Sequence, residues 1–165
     1  MHASKKAKKI KGTGTSGKTI VMGALQRGPK GESKVQAKVI KATDRQTLKD
    51  EVEAKVEKGS TLYTDGHSGY DLLDAEYVRL VIDHAVKYVD GKISTNGIEN
   101  FWTLLKRCLK GTYVSVEPFH LHRYLDEQAY LFNNRKDSNL DRFVGVVRGV
   151  EGKRITYKQL TGHVD

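Results

Sequence analysis

Apolar residues fall on both parities of residues 18–26, Lys-Thr-Ile-Val-Met-Gly-Ala-Leu-Gln. That is the pattern of a strand buried on both faces, although so short a run also suits a buried helix. Gly28-Pro29-Lys30-Gly31 breaks the run, and residues 34–40 then alternate, with Val35, Ala37 and Val39 on one side. Alternation on either side of a Gly/Pro cluster predicts an antiparallel hairpin. Further on, Thr43 with Gln46 three residues later offers a helix cap, Leu48, Val52 and Val56 recur at spacing four, and Gly59 is placed to stop the helix.

Residues 60–65 are rich in β-formers and end at Asp65-Gly66, which reads as a strand whose last residue is an aspartate. Residues 77–82 make another strand, with room for a turn and a short helix over 66–74. In residues 95–110, Ile98, Phe101, Trp102, Leu105, Cys108 and Leu109 form one helical stripe. A second helix is expected from about 116 to 133, with Pro118 in its first turn and Leu121, Tyr124, Leu125, Gln128 and Phe132 along one side. The order is a mixed α/β pattern without an internal repeat.

The 165 residues suit one domain, and 38% apolar with 30% charged residues is a globular composition. No run approaches the ~18 apolar residues of a membrane helix, and the N-terminus lacks the apolar stretch of a secretory signal, so a soluble intracellular protein is expected. Cys108 is the one cysteine, which leaves no internal disulfide and no Cys-x-x-Cys zinc pair. The net charge of +9 favours polyanionic partners. Most of it sits in residues 1–18, where Lys5, Lys6, Lys8, Lys9, Lys11 and Lys18 meet no acid. This arm reads either as a solvated tail or as a contact to phosphates.

Two acids stand out. Open α/β sheets bind ligands beyond the carboxyl ends of their strands, where Asp65 is expected, although Asp-Gly is also an ordinary turn pair. Glu99 lies outside its helix's apolar stripe. At ~100° per residue it shares a flank with Lys106 and Lys110, an arrangement suited to a metal-bound phosphate with DNA alongside. The plainer reading makes Asn96 and Glu99 a capping box with an acid at the favourable end of the helix dipole. His120 and His122, two apart on a helix, point away from each other, and Arg123 with Glu127 has the spacing of a solvated i, i+4 pair.

Two segments together carry a resemblance: Tyr63-Thr64-Asp65-Gly66-His67-Ser68-Gly69-Tyr70, and Ser94-Thr95-Asn96-Gly97-Ile98-Glu99-Asn100-Phe101-Trp102 continuing into Leu105-Lys106-Arg107 and Gly111-Thr112-Tyr113. The chain resembles the catalytic core of bacterial insertion-sequence transposases with a ribonuclease-H-like, integrase-type DDE domain. The likeness continues through residues 118–127 and Phe132-Asn133-Asn134-Arg135, and residues 155–160 are similar to that family's C-terminal end. It implies a mixed sheet flanked by helices over residues 18–137, with a basic arm at 1–17 and an extension at 138–165.

In such enzymes three carboxylates hold two divalent ions that activate water or a 3′ hydroxyl for in-line displacement at a phosphodiester. By position Asp65 is the second carboxylate and Glu99 the third, with His84 and Asn96 supporting and Lys106, Arg107 and Lys110 on DNA. The resemblance further implies Mg2+ or Mn2+ as two ions, transposon-end and target DNA as partners, a homo-oligomer in the intact enzyme, and a bacterial cytoplasmic, nucleoid-associated location.

The chain departs from the family in two places. The family's first aspartate sits on an opening strand upstream of the basic segment, and nothing before Lys18 is acidic; a family histidine is Ser94 here. The expectation is therefore a fold without its first strand, an exposed edge on the 18–26 strand, reduced solubility, and little or no activity from this polypeptide alone. Two rival readings are a non-catalytic DNA-binding or regulatory fragment of a transposase and a ribonuclease-H-like nuclease.

Overall fold

The computed structural model describes residues 17–29, 32–82, 96–113 and 115–162. Strands β1 (Ile20–Gln26) and β2 (Lys34–Ile40) pair antiparallel, from Ile20 opposite Ile40 to Gln26 opposite Lys34. The expected hairpin is present, and its two faces explain the dense apolar pattern. Ile20, Met22 and Ile40 pack into one core with Leu48, Val52, Leu73 and Tyr77. Val21, Leu25, Val35, Ala37 and Val39 pack into a second, around Phe101, Leu105, Leu125 and Phe132. The hairpin is thus the middle layer between two helical layers. Each large side chain it helps bury contributes about 1.5–3 kcal/mol.

Helix α1 (Arg45–Glu53) supplies Leu48 and Val52 to the first core. Its cap is Asp44, whose carboxylate accepts from the Thr47 N–H at 3.0 Å, so the expected Thr43–Gln46 box is not used. The helix ends at Glu53, and Val56 packs on the core from the turn that follows. Strand β3 (Thr61–Thr64) pairs parallel with β4 (Val78–Val81), and a 3-10 segment, Ser68–Leu73, lies between them in sequence. Leu62 of β3 packs on the same core as Ile20 and Met22 of β1. Among the described residues there are two separate two-stranded sheets, β1–β2 and β3–β4, in place of the single mixed sheet expected.

Helix α2 (Asn96–Gly111) places Phe101 and Leu105 in the second core, with Ile98, Trp102 and Leu109 packed beside them, as its stripe predicts. The expected 116–133 helix is divided. A 3-10 turn at Pro118–His120 precedes helix α3 (Leu121–Asn133), because the turn around Pro118 tightens before regular α-geometry is set. At the end of α3, Asn133 and Arg135 hydrogen-bond the backbone of Val35 and Ser33, covering part of the outer edge of β2.

Two further helices lie in the 138–165 extension, for which no element was expected: α4 (Asn139–Val150) and α5 (Tyr157–Thr161). Ser138 caps α4 through the Asp141 N–H, and Thr156 with Gln159 forms a capping box on α5. Helix α4 packs through Arg142 and Gly145 against Tyr130, whose hydroxyl donates to the Arg142 carbonyl at 2.8 Å. On its far side Leu140, Phe143, Val147 and Val150 are 69, 65, 49 and 58% exposed. No described helix is long and apolar enough to cross a membrane.

Candidate functional site

Asp65 follows β3 directly and is exposed. Its Oδ1 accepts from the His67 N–H at 3.2 Å, so the turn reading of Asp65-Gly66 is correct in its own terms and also fixes the carboxylate beyond the strand end. The Thr64 hydroxyl donates to the Asp65 carbonyl at 3.0 Å and itself accepts from Arg79 Nε at 3.0 Å. Arg79 reaches from β4, its side chain only 7% exposed, and pairs with Asp71 and Asp74. One guanidinium thus ties β4, the end of β3 and the 3-10 segment together around Asp65. His67 Nδ1 accepts from the Gly69 N–H at 2.9 Å, which assigns the neutral ring's proton to Nε2. Burial pushes the Tyr70 hydroxyl above its ordinary range, and the nearby Asp65 carboxylate adds to the shift.

Glu99 lies in the first turn of α2 and is exposed; its carbonyl accepts from the Thr103 hydroxyl. The helix is held by close packing on β1. A Cβ on Gly23 would sit 2.4 Å from the Trp102 ring, so only glycine lets the indole lie on the strand. A Cβ on Gly97 would be 3.2 Å from Leu25. Just past β1, the Arg27 guanidinium covers the Tyr63 ring of β3 at 4.3 Å. Gly97 is two residues before Glu99, and Tyr63 is two before Asp65. Both acids therefore belong to segments that touch the C-terminal end of β1. Among the described residues no group of three His, Cys, Asp or Glu is gathered to hold a metal ion.

The remaining candidates divide. His84 lies outside the described residues. Asn96 is the first described residue of α2 and already lies within the helix, three positions before Glu99. Lys106 and Lys110 are exposed and share the Glu99 flank at ~100° per residue, whereas Arg107 is turned toward α3 and lines a groove with Arg135.

Arg123 and Glu127 do not pair as expected. Arg123 donates to the Gln159 and Leu160 carbonyls at 2.6 and 3.2 Å, holding the C-terminal end of α5. Glu127 accepts from the Tyr113 hydroxyl at 2.6 and 2.8 Å, which pushes that hydroxyl up to about 12. His122 is hydrogen-bonded to the Phe119 carbonyl. With His120, Arg123 and Glu127 line a cavity of about 580 Å³ beneath α5, whose lining includes neither Asp65 nor Glu99. Sequence reasoning missed Arg79, Tyr70 and Arg27 at the Asp65 end; the one signal was an arginine inside an otherwise apolar strand.

The model of the ISXO2-like transposase domain matches residues 1–133, which include Asp65, Glu99 and every described strand. A transposase-like protein of Haemophilus influenzae is 33% identical over 102 residues, covering 61% of this chain and 82% of that protein. No solved structure matches the chain. With 133 of its 165 residues matched by the family model and a related chain covered over four-fifths of its own length, the protein belongs to the ISXO2-like transposase domain family of insertion-sequence transposases.

Proposed function

We propose that this chain is a DNA transposase domain of ribonuclease-H-like design, in which Asp65 and Glu99 are metal-binding carboxylates and the exposed flank of α2 runs beside DNA. The observation that carries the reading is the attachment of both acids' segments to one end of β1 within the matched family region. The two sheets support the fold reading. β1 and β3 pack on one core without pairing, and a strand between them would join the four into one mixed sheet.

The donor set fits a hard divalent ion such as Mg2+ or Mn2+, since both groups are exposed carboxylates. When bound, such ions lower the pKa of water and stabilise the oxygens of an in-line phosphoryl displacement. The chain's own part is to hold Asp65 through the Thr64–Arg79 contacts and the His67 N–H, and to hold Glu99 on a helix locked to β1. Two carboxylates against two dications leave excess positive charge, so by itself the chain cleaves poorly or not at all. The exposed Lys106 and Lys110 on the α2 flank also suit a second reading, a DNA-binding domain that acts on intact transposase without cleaving.

Nicking of labelled duplex DNA with Mg2+ or Mn2+ tests both. The expected result is binding that persists with chelator and cleavage near background. Strong metal-dependent cleavage that disappears in Asp65→Asn and Glu99→Gln would keep the site and overturn the inactivity. Cleavage indifferent to both substitutions would overturn the site.

A further inference from the structure

Helix α2 has a flank that faces neither the core nor the candidate acids. There Arg107, and Arg135 just beyond α3, border an open cavity of about 480 Å³ between the two helices, with Leu104 and Leu131 at its rim and Cys108 in its wall. Among the described residues no acid lines it. Arg135 is pre-set: its guanidinium lies over the Phe132 ring at 4.4 Å, and its Nη1 donates to the Ser33 and Phe132 carbonyls. Arg107 is exposed and makes no hydrogen bond or ion pair among the described residues.

Two guanidiniums lining one groove, Arg107 from α2 and Arg135 from the turn after α3, form a fork suited to phosphate oxygens. Leu104 and Leu131, each 40% exposed, place apolar surface beside them, and the face of a nucleobase is sequence-tolerant apolar surface of matching kind. The volume lies within the ~300–1,000 Å³ usual for small-ligand sites, enough for a nucleotide unit. At ~100° per residue Arg107 adjoins the flank of Glu99, Lys106 and Lys110, so one strand can pass from that flank into the groove.

We propose that the α2–α3 groove binds a nucleic-acid strand, with Arg107 and Arg135 on phosphodiester oxygens and a base against Leu104 and Leu131. The proposal rests on the transposase reading for its choice of anion, because two arginines alone would also receive a carboxylate-rich peptide.

Cys108 is the chain's one cysteine, so its alkylation by iodoacetamide reports on this groove alone. A single-stranded oligonucleotide is expected to slow the alkylation severalfold. Arg107→Ala is expected to weaken binding at least about tenfold, the size of one charge-assisted hydrogen bond, and to make the salt dependence shallower by about 0.7 per lost phosphate contact. Leu104→Glu, on the exposed rim, is expected to lose protection as well, while Lys153→Ala keeps it. Circular dichroism confirms that each variant is folded. Unchanged affinity, salt slope and Cys108 protection in Arg107→Ala overturn the groove while leaving DNA binding, and the transposase reading, in place. Equal protection by polyglutamate at the same charge concentration overturns the choice of ligand. A chain that binds neither single-stranded nor duplex DNA overturns both this proposal and the function on which it rests.

Discussion

The side-chain amide of Asn133 is paired with the backbone of Val35, 98 residues away, accepting from its N–H at 2.7 Å and donating to its carbonyl at 2.9 Å. One side chain thus takes the place of a neighbouring strand on the outer edge of β2, where open backbone groups would otherwise invite pairing with another chain. Asn133→Ala leaves a donor and an acceptor unmatched at a part-buried position, and about 1–3 kcal/mol of stability is expected to be lost. Denaturant unfolding measures it. Asn133→Asp keeps the acceptor but sets a second carboxylate oxygen against the Val35 carbonyl, so a loss at least as large is expected; a smaller loss would mean that the bond to the carbonyl contributes little.

Gly23 and Trp102 make the second prediction. Because a Cβ at Gly23 would fall 2.4 Å from the indole, Gly23→Ala is expected to overpack the interface and cost about 1–3 kcal/mol. Trp102→Leu in the same chain should recover part of that cost, and a double-mutant cycle on unfolding free energies reads the coupling.

Stability should fall at both ends of the pH scale, for different reasons. The Lys38 ammonium, helped by Lys55, holds the Glu51 carboxyl below its ordinary range, and Lys58 does the same for Glu76. A carboxyl lowered in the folded state stabilises above its ordinary pKa and loses that contribution as pH falls through the folded value. Tyr113 behaves oppositely. Its hydroxyl, bonded to Glu127, is raised from 10.0 to about 12, so its contribution is complete below about 10 and is lost as pH rises toward 12. Melting temperature against pH tests this: Glu51→Gln should flatten the acid limb and Tyr113→Phe the alkaline one. Absorbance titration should show one of the eight tyrosines ionising near 12.

Asp65→Asn and Glu99→Gln change exposed groups outside both cores, so unfolding free energies within about 0.5 kcal/mol of the parent chain are expected. The same variants should abolish any effect of Mg2+ or Mn2+ on melting. A metal-induced rise in melting temperature that survives both substitutions would remove these two residues from the metal site.

Phe143→Ser on α4 is likewise expected to change stability by less than about 0.5 kcal/mol while raising solubility, because the ring is 65% exposed and meets water in the folded chain. Urea unfolding and the saturation concentration read the two effects separately.

What the sequence disclosed follows from range. The stripe from Ile98 to Leu109 was legible because its partners recur every three or four positions, and the hairpin because Val35, Ala37 and Val39 alternate beside a Gly/Pro turn. Helix α4 carries an equally legible stripe, Leu140, Phe143, Val147 and Val150 at spacings three, four and three; what that periodicity does not encode is that it faces away from both cores. Arg123 and Glu127 misled for a similar reason: spacing made them partners, but distant groups, the α5 carbonyls and the Tyr113 hydroxyl, bind each more closely. Asp65 and Glu99 were chosen by a pair of motifs, and what braces them, Arg79 beneath one and Gly23 beneath the other, depends on contacts that local pattern does not encode.

The indole lying on Gly23 is the chain's one tryptophan, and it sits one turn beyond Glu99 on the same helix. Intrinsic emission excited at the red edge of protein absorbance is therefore an optical gauge of a single event, the seating of the acid-bearing helix on its strand. A red shift in that emission would report the helix lifting off its strand and the ring meeting water.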